Sequence, residues 1–296
     1  MKILITGATG FIGSSLGEYL AKEGHAVVLV TRNAKEASRH LTYKADLVEC
    51  DLNSEALPLE SFAKINVVIN LAGESIEGRW TRAKKSKILN SRIYTSRNLL
   101  KNCPDTVSTI ITASAQGIYG DRGDELISES SSLGTGFLAD VCRSWEAEFK
   151  NRNQRVVVLR FGLVMSPAGG ALQKLIMLFK KNLGAPLGSG LQWVSYISLN
   201  DLVRLISEAV KNPRYDGVIN AVNNSPVTNA ELTTELCKKL KVWCLPYVPA
   251  KIIRIMLGEM SELVLSSLRL KPQKLNQLGF IFKDADLNAI LNSIEA

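Results

Sequence analysis

Apolar and polar positions along this chain of 296 residues fall into blocks whose period switches between two and about three and a half. Ile3 to Thr6 is a continuous apolar run, and Ile12 to Lys22 follows it at helical spacing. Short apolar runs recur at Ala26–Thr31, Leu47–Cys50, Val67–Leu71, Val107–Thr112 and Arg155–Phe161, with helical patterns over Thr81–Lys101 and Phe137–Asn151. Continuous apolar strands alternating with helices predict a parallel sheet buried on both faces, an α/β doubly wound arrangement with ligands beyond the carboxyl ends of its strands. After residue 165 the pattern predicts a helix at Ala171–Lys181, a glycine-rich loop at Gly184–Gly190, a strand at Val194–Ser198, a helix at Asp201–Lys211 and a strand at Gly217–Val222. Thr228-Asn-Ala-Glu231 reads as a capping box opening a helix to Leu240. Pro246 and Pro249 mark a boundary, followed by helices over Ala250–Leu257 and Ser261–Leu268. The expected organisation is a sheet domain at 1–165, to which later segments can return, a mixed substrate-side region at 166–245, and a small, mainly helical C-terminal domain at 246–296.

The junction of the first strand and helix carries Gly7, Gly10 and Gly13, three apart. In a strand–turn–helix setting the first glycine permits the tight turn, the second lets backbone approach a pyrophosphate, and the third lets helix pack on strand. The helix N-terminus then offers free N–H groups to the phosphates. This is the Rossmann nucleotide-binding turn, with Thr9, Phe11 and Ile12 as its other expected contacts. The end of the second strand selects the dinucleotide. An acid there would favour NAD; the chain has Thr31-Arg32-Asn33, and a hydroxyl beside a guanidinium suits a 2′-phosphate. NADP(H) is the expected cofactor.

Net charge is +8 with a sequence pI near 9.2. The basic residues are dispersed, without a long block or an aromatic-interleaved stripe, so a nucleic-acid partner is not expected, and an anionic cofactor and a polar or anionic substrate fit better. Five cysteines, Cys50, Cys103, Cys142, Cys237 and Cys244, are scattered without C-x-x-C spacing, an odd set that reads as buried free thiols in a reducing compartment. With only His25 and His40, neither a metal site nor a Ser-His-Asp triad is expected. The first strand leaves no room for a leader, and no run reaches membrane-spanning length; a cytoplasmic protein without a membrane partner is the expectation, with a homodimer as the candidate assembly.

Further candidates lie at successive strand ends. Asp51-Leu52 suits an adenine edge, Leu71-Ala72-Gly73 lets backbone lie against the second ribose, and Ser114 ends the fifth strand five residues before Tyr119. On the next helix Lys87 and Arg92 fall near one face and suit phosphate or ribose. Taken together, Gly7-x-x-Gly10-x-x-Gly13, Asp51-Leu52, Asn70-Leu-Ala-Gly73, Ser114 and Tyr119-Gly120 resemble the extended short-chain dehydrogenase/reductases, which include sugar-nucleotide epimerases and dehydratases. Gly73-Glu-Ser-Ile76, Arg79-Trp80, Ser91-Arg92, Trp145-Glu146, Arg160-Phe-Gly162, Leu187-Gly-Ser-Gly190 and Gln192-Trp193 are similar to an atypical subgroup called epimerase family proteins. Gly258-Glu-Met and Lys271-Pro272 look like that subgroup's small C-terminal domain.

The resemblance implies an NADP(H)-dependent oxidoreductase or epimerase acting on a nucleotide-sugar-like or other polar carbonyl compound. It also implies a Tyr-x-x-x-Lys pair for proton transfer, and this chain departs from it. Phe137 or Leu138 stands where the tyrosine belongs and Val141 or Cys142 where the lysine belongs. Ser114 with Tyr119 is therefore the expected catalytic pair, and Gly190, Gln192 and Trp193 the expected substrate contacts. The alternative is a non-catalytic regulator that senses NADP(H) through the same pocket, akin to relatives labelled cell-division inhibitors.

Overall fold

Seven parallel strands run through the centre of the computed structural model, which describes residues 1–294. They are β1 (Lys2–Thr6), β2 (Ala26–Thr31), β3 (Asp46–Glu49), β4 (Val67–Asn70), β5 (Thr109–Ala115), β6 (Arg155–Phe161) and β7 (Gly217–Ala221). Their spatial order is β3-β2-β1-β4-β5-β6-β7. Ile5 of β1 pairs with Leu29 on one side and Ile69 on the other, so the order reverses beside β1 and leaves a crevice at the strand ends.

The pleat sends alternate side chains to opposite faces, and each face has its own core. Ile3, Ile5 and Ile69 join Leu16 and Leu20 of α1 (Phe11–Lys22) on one side. Leu4, Val68 and Ile110 join Leu99 of α3 (Arg82–Lys101) and Trp145 of α4 (Phe137–Ala147) on the other. A short α2 (Ala34–His40) lies between β2 and β3. Beyond β6 come α5 (Gly170–Lys180) and α6 (Leu199–Lys211). Leu202, Leu205, Ile206 and Ala209 form a stripe at i, i+3, i+4 and i+7 on α6 that is wholly buried beside α1. At about 1.5–3 kcal/mol for each buried large aliphatic side chain, this stripe is a main anchor of the sheet's outer layer.

The sheet thus extends past residue 165: β7 is its edge strand and α6 covers it. Thr228 and Glu231 form the predicted capping box, with Thr228 Oγ1 accepting from Glu231 N, at the start of α7 (Asn229–Leu240). After α8 (Ala250–Leu257), only Glu262–Leu265 of the expected second helix is α-helical, because Gly258 breaks the chain at φ +59° and Ser266 is extended. The expected strand at Val194–Ser198 is split. Trp193–Val194 pairs antiparallel with Val227–Thr228, and Tyr196–Ser198 pairs parallel with Leu163–Ser166. Two short helices, Gln273–Leu278 and Leu287–Asn292, follow. Cys237 and Cys244 form a disulfide, which corrects the reading of all five cysteines as free thiols; Cys50, Cys103 and Cys142 remain free. Among the described residues no helix is long and apolar enough to cross a membrane.

Candidate functional site

The reversal of strand order opens a cleft of about 760 Å³ at the carboxyl ends of β1, β2 and β4. Its floor is the glycine turn. Gly7 sits at φ +67°, and a Cβ there would lie 2.6 Å from the Leu71 carbonyl carbon. A Cβ on Gly13 would lie 2.3 Å from the Gly7 oxygen, so α1 packs this closely only without a side chain. Gly10 caps α1 with backbone alone, no acid stands in the helix's first turn, and the free N–H groups give the cleft a positive end. Of the residues expected from sequence, Gly7, Thr9, Gly10, Thr31 and Arg32 line the cleft, and so do Asp51, Leu52, Leu71, Ala72 and Gly73. Phe11, Ile12 and Gly13 do not. Gly13 sets the packing beneath, and the Phe11 ring fills the space over Gly169 and Gly170 at the start of α5.

At one end of the cleft Thr31 Oγ1 accepts from Asn33 N, and the Asn33 side chain accepts from Glu36 N to cap α2. Glu49 of β3 accepts from Ala34 N at 2.7 Å, so its carboxylate is used at the helix start rather than in the cleft wall. Asn53 donates to Asp51 through side chain and backbone, and Arg32 lies close enough to help; together they hold the Asp51 carboxyl below its ordinary range. Tyr43 also lines the cleft, and its hydroxyl fits against Gly17 of α1, where a Cβ would collide with it. Neither Tyr43 nor Gly17 has a sequence signal beyond the glycine's place one turn after Gly13.

At the other end the backbone of 71–74 is fixed by buried polar groups. Thr6 Oγ1 donates to Asn70 Oδ1 at 2.7 Å, and Asn70 Nδ2 donates to Ser96 and Thr112, tying β1, β4, β5 and α3 together. Glu74 N donates to Ser91 Oγ, and the Glu74 carboxylate takes Lys84 Nζ at 2.8 Å. The latter bond holds the Glu74 carboxyl below its ordinary range. Arg92 lies behind Gly73, with its Cζ 3.4 Å from where a Cβ on that glycine would be. Its Nη1 donates to the Glu74 and Ile88 carbonyls, and its guanidinium lies 5.2 Å from the Trp145 ring centroid. Arg92 therefore backs the cleft's inner end, whereas Lys87 is exposed on α3 and outside the cleft.

The expected catalytic pair has a different place. Ser114 is 2% exposed and donates to Glu146 Oε1 at 2.6 Å. Tyr119 is fully buried; its hydroxyl donates to Asn220 at 2.7 Å and accepts from Arg160 Nη1 at 2.8 Å. Arg160 closes the chain with two 2.8 Å bonds to Glu146. Burial pushes the Tyr119 phenol up despite Arg160. Both side chains are consumed by a buried network joining β5, α4, β6 and β7, which corrects their reading as groups presented to a substrate. Phe137 and Leu138 belong to an apolar cluster with Trp80, Ile88 and Met260, the Trp80 and Phe137 rings meeting edge-on at 5.2 Å. Burial pushes the Cys142 thiol up to about 11.

The expected substrate contacts also serve as joints. Gln192 is buried and donates to the Leu187 and Val264 carbonyls. Trp193 donates Nε1 to Asp124 and lies under Arg269 at 4.3 Å. Gly190, at φ +73°, packs against Tyr247, Ala230 and Pro186. A second cleft, of about 540 Å³, instead opens between Tyr119–Arg122, Gly134–Thr135 and the C-terminal segment, with Arg254, Glu259 and Glu262 among its walls. Glu262 Oε1 lies 3.6 Å from a Cβ position on Gly136, at the start of α4. Burial pushes the Glu262 carboxyl up, with Lys85 opposing and Glu259 and Asp121 adding. Sequence reasoning missed this residue because no local motif ties it to α4. Among the described residues no His/Cys/Asp/Glu group is arranged to hold a metal.

Residues 3–223 match the model of the NAD dependent epimerase/dehydratase family, and residues 248–294 match a domain of unknown function, DUF1731. The epimerase family protein SDR39U1 homolog, chloroplastic, of Arabidopsis thaliana is 37% identical over 290 residues, covering 96% of this chain and 83% of that protein. The epimerase family protein YfhF of Bacillus subtilis is 35% identical over 305 residues, covering 100% of this chain and 98% of that one. The crystal structure of human epimerase family protein SDR39U1 (isoform 2) with NADPH superposes with a TM-score of 0.89 at 27% identity, covering 99% of both chains. This chain belongs to the NAD dependent epimerase/dehydratase family.

Proposed function

We propose that this protein binds NADP(H) in the larger cleft and acts as an atypical short-chain oxidoreductase or epimerase on a polar carbonyl compound, nucleotide-linked sugars being the class first in line. The observation that carries the reading is the cradle in which a Cβ on Gly7 or Gly13 would strike backbone, together with Thr31-Arg32 at the opposite end. The cradle fits a dinucleotide: Gly7, Thr9 and Gly10 with the α1 N-terminus take the pyrophosphate, and Thr31 with Arg32 takes the 2′-phosphate. Asp51 and Leu52 face the adenine, and Leu71-Ala72-Gly73 lies along the second ribose with Arg92 behind it. Human SDR39U1 solved with NADPH supports the choice of phosphorylated cofactor.

A nicotinamide cofactor supplies hydride chemistry; the chain must orient the substrate and handle a proton. We assign substrate binding to the second cleft, where Arg254 offers a cation to an anionic group while Arg122 is held by Glu125 and Ser132. Glu262 is the group we assign to proton transfer, since a carboxyl with a raised pKa beside the start of α4 can do what Phe137 and Leu138 cannot. The apolar cluster of Trp80, Phe137 and Leu138 favours the second reading, a sensor that binds NADP(H) without turning over. Titration of the purified protein with NADPH and NADH, followed by nicotinamide fluorescence, tests the binding claim: tighter NADPH binding is expected, and equal affinities refute it. A carbonyl substrate screen then separates the two readings, because Glu262→Gln must abolish any turnover found while leaving NADPH affinity unchanged.

A further inference from the structure

Residues 177–191 and 238–256 are far apart in sequence and meet on one surface. Leu245 N donates to the Gly184 carbonyl, Val248 N to that of Pro186, and Gly188 N to that of Val248. Neither stretch contains an Asp or a Glu. Lys180, Lys181, Lys241 and Lys251 are exposed there, and Lys239 is partly exposed; none of the five makes an ion pair among the described residues. Lys238 is offset by Glu235, and Arg254 turns to the second cleft.

The same surface exposes large apolar side chains that a folded protein normally hides. Trp243 is 85% exposed, Ile255 80% and Met256 72%, with Ile252, Leu245, Tyr247 and Leu183 also in the open. On α8 only Ile253 is fully buried, so Ile252, Ile255 and Met256 form an outward apolar stripe flanked by Lys251. Trp243 stands beside Lys238 and Lys241 in a shallow depression. An apolar surface of this extent marks an interaction site.

We propose that this face docks onto an anionic membrane surface, with α8 and the 243–247 strap lying in the lipid headgroup layer. Amphipathic helices that lie on membranes combine an apolar face with flanking lysines, and Trp and Tyr settle at the headgroup level. Charge decides the occupant. A second copy in a two-fold contact would set this patch against itself, lysine against lysine with no acid to pair; an acidic lipid surface complements it. The docking is peripheral and independent of the dinucleotide cleft, none of whose walls belongs to either stretch.

The test is sedimentation of the purified full chain with vesicles of phosphatidylcholine alone, and of phosphatidylcholine in which one lipid in four is phosphatidylglycerol. Binding is expected only to the acidic vesicles, with a blue shift of tryptophan emission that Trp243→Ala reduces. Raising the salt concentration should weaken it. Replacing Lys241 or Lys251 by Ala should each lower vesicle affinity about fivefold, on the usual scale for a cation at such a surface. Ile255→Glu with Met256→Glu should abolish sedimentation and leave NADPH titration unchanged, which also reports that the variant is folded. Equal binding to both vesicle types overturns the proposal, as does no binding to either. So does a dimer of the wild type that these two glutamates dissociate, since that would assign the patch to a second copy.

Discussion

Glu146→Gln is the substitution that probes the buried network most directly. Glu146 and Arg160 have side-chain exposures of 12% and 5% and share two 2.8 Å hydrogen bonds, while Ser114 adds a third bond to the same carboxylate. Burial opposes a charge on Arg160, yet the bonds and charge of Glu146 hold its pKa above the ordinary arginine value. Glutamine keeps the shape, removes the countercharge, and turns an amide donor toward Ser114 or the guanidinium. Breaking one side of a buried pair costs about 3–5 kcal/mol, a large part of a stability of about 5–15 kcal/mol. For a chain of this size that lowers Tm by on the order of 10 °C. Arg160→Met added to Glu146→Gln should restore part of the loss, because the stranded cation leaves with its partner. Ser114→Ala and Tyr119→Phe, which leave the pair intact, should each cost about 1 kcal/mol. Thermal and urea denaturation read these four variants, Arg160→Met alone and the wild type, and NADPH affinity should stay constant across them. A Glu146→Gln protein within about 1 kcal/mol of wild type would refute the reasoning, as would a double variant as unstable as the two singles summed.

Arg32→Ala should weaken NADPH binding about tenfold or more and leave NADH nearly unchanged, because only the 2′-phosphate loses a charge-assisted contact; paired titrations check it. Gly13→Ala should abolish dinucleotide binding and lower Tm, since its Cβ would lie 2.3 Å from the Gly7 oxygen and backbone cannot yield there. Reducing Cys237–Cys244, or Cys237→Ser, should cost about 2.5 kcal/mol on the loop-closure estimate, visible as a lower Tm in dithiothreitol than in its absence. Burial pushes the Glu23 carboxyl up, but Lys211 and Ser207 bind it and hold it below the ordinary carboxylate range. Its folded pKa lies below the unfolded one, so its contribution is full above that range and disappears as pH falls through it. Glu23→Gln should flatten the acid limb of stability against pH.

The sheet was legible because buried parallel strands are continuous apolar runs, and Arg155–Phe161 stands where the pattern predicts it. That Gly7, Gly10, Thr31 and Gly73 gather around one cleft was equally legible, since they sit on local turns at strand ends whose geometry the residue types dictate. Contacts made across sequence were not. Ser114 at a strand end looks open from its neighbours, and only the fold brings Glu146 against it. Tyr119 lies five residues further, yet its hydroxyl is claimed by Asn220, about a hundred residues away. The paired α7–α8 loop hid another contact: Cys244 follows Cys237 by seven positions without a recognisable motif, and the left-handed turn at Lys241 brings them together.

The two ends of the fold have therefore been treated differently. The dinucleotide end depends on bare backbone, which tolerates no side chain at Gly7 or Gly13. At the chemical end, the positions where the family resemblance calls for a proton donor and a cation carry Phe137 or Leu138 and Val141 or Cys142. The apolar members pack with Trp80 from the loop after Gly73 and Met260 from the C-terminal segment. That segment also brings Glu262 beside the same helix start, through a wall it shares with Glu259, whose partner Lys85 lies on α3. With apolar or thiol side chains at those positions of α4 and a carboxyl brought to its N-terminus by another segment, we propose that the C-terminal domain takes part in the reacting site. On that argument, detaching residues 246–296 would leave the glycine cradle intact in sequence but remove the only carboxyl now placed at the start of α4 with a raised pKa among the described residues. Lys85→Ala tests the coupling without truncation. It removes the cation that opposes Glu262's upward shift, so whichever limb of a pH–rate profile Glu262 sets should move to higher pH while NADPH affinity holds. A profile unmoved by Lys85→Ala but abolished by Glu262→Gln would keep the carboxyl and discard the coupling; one indifferent to both would discard the C-terminal domain's part in the chemistry.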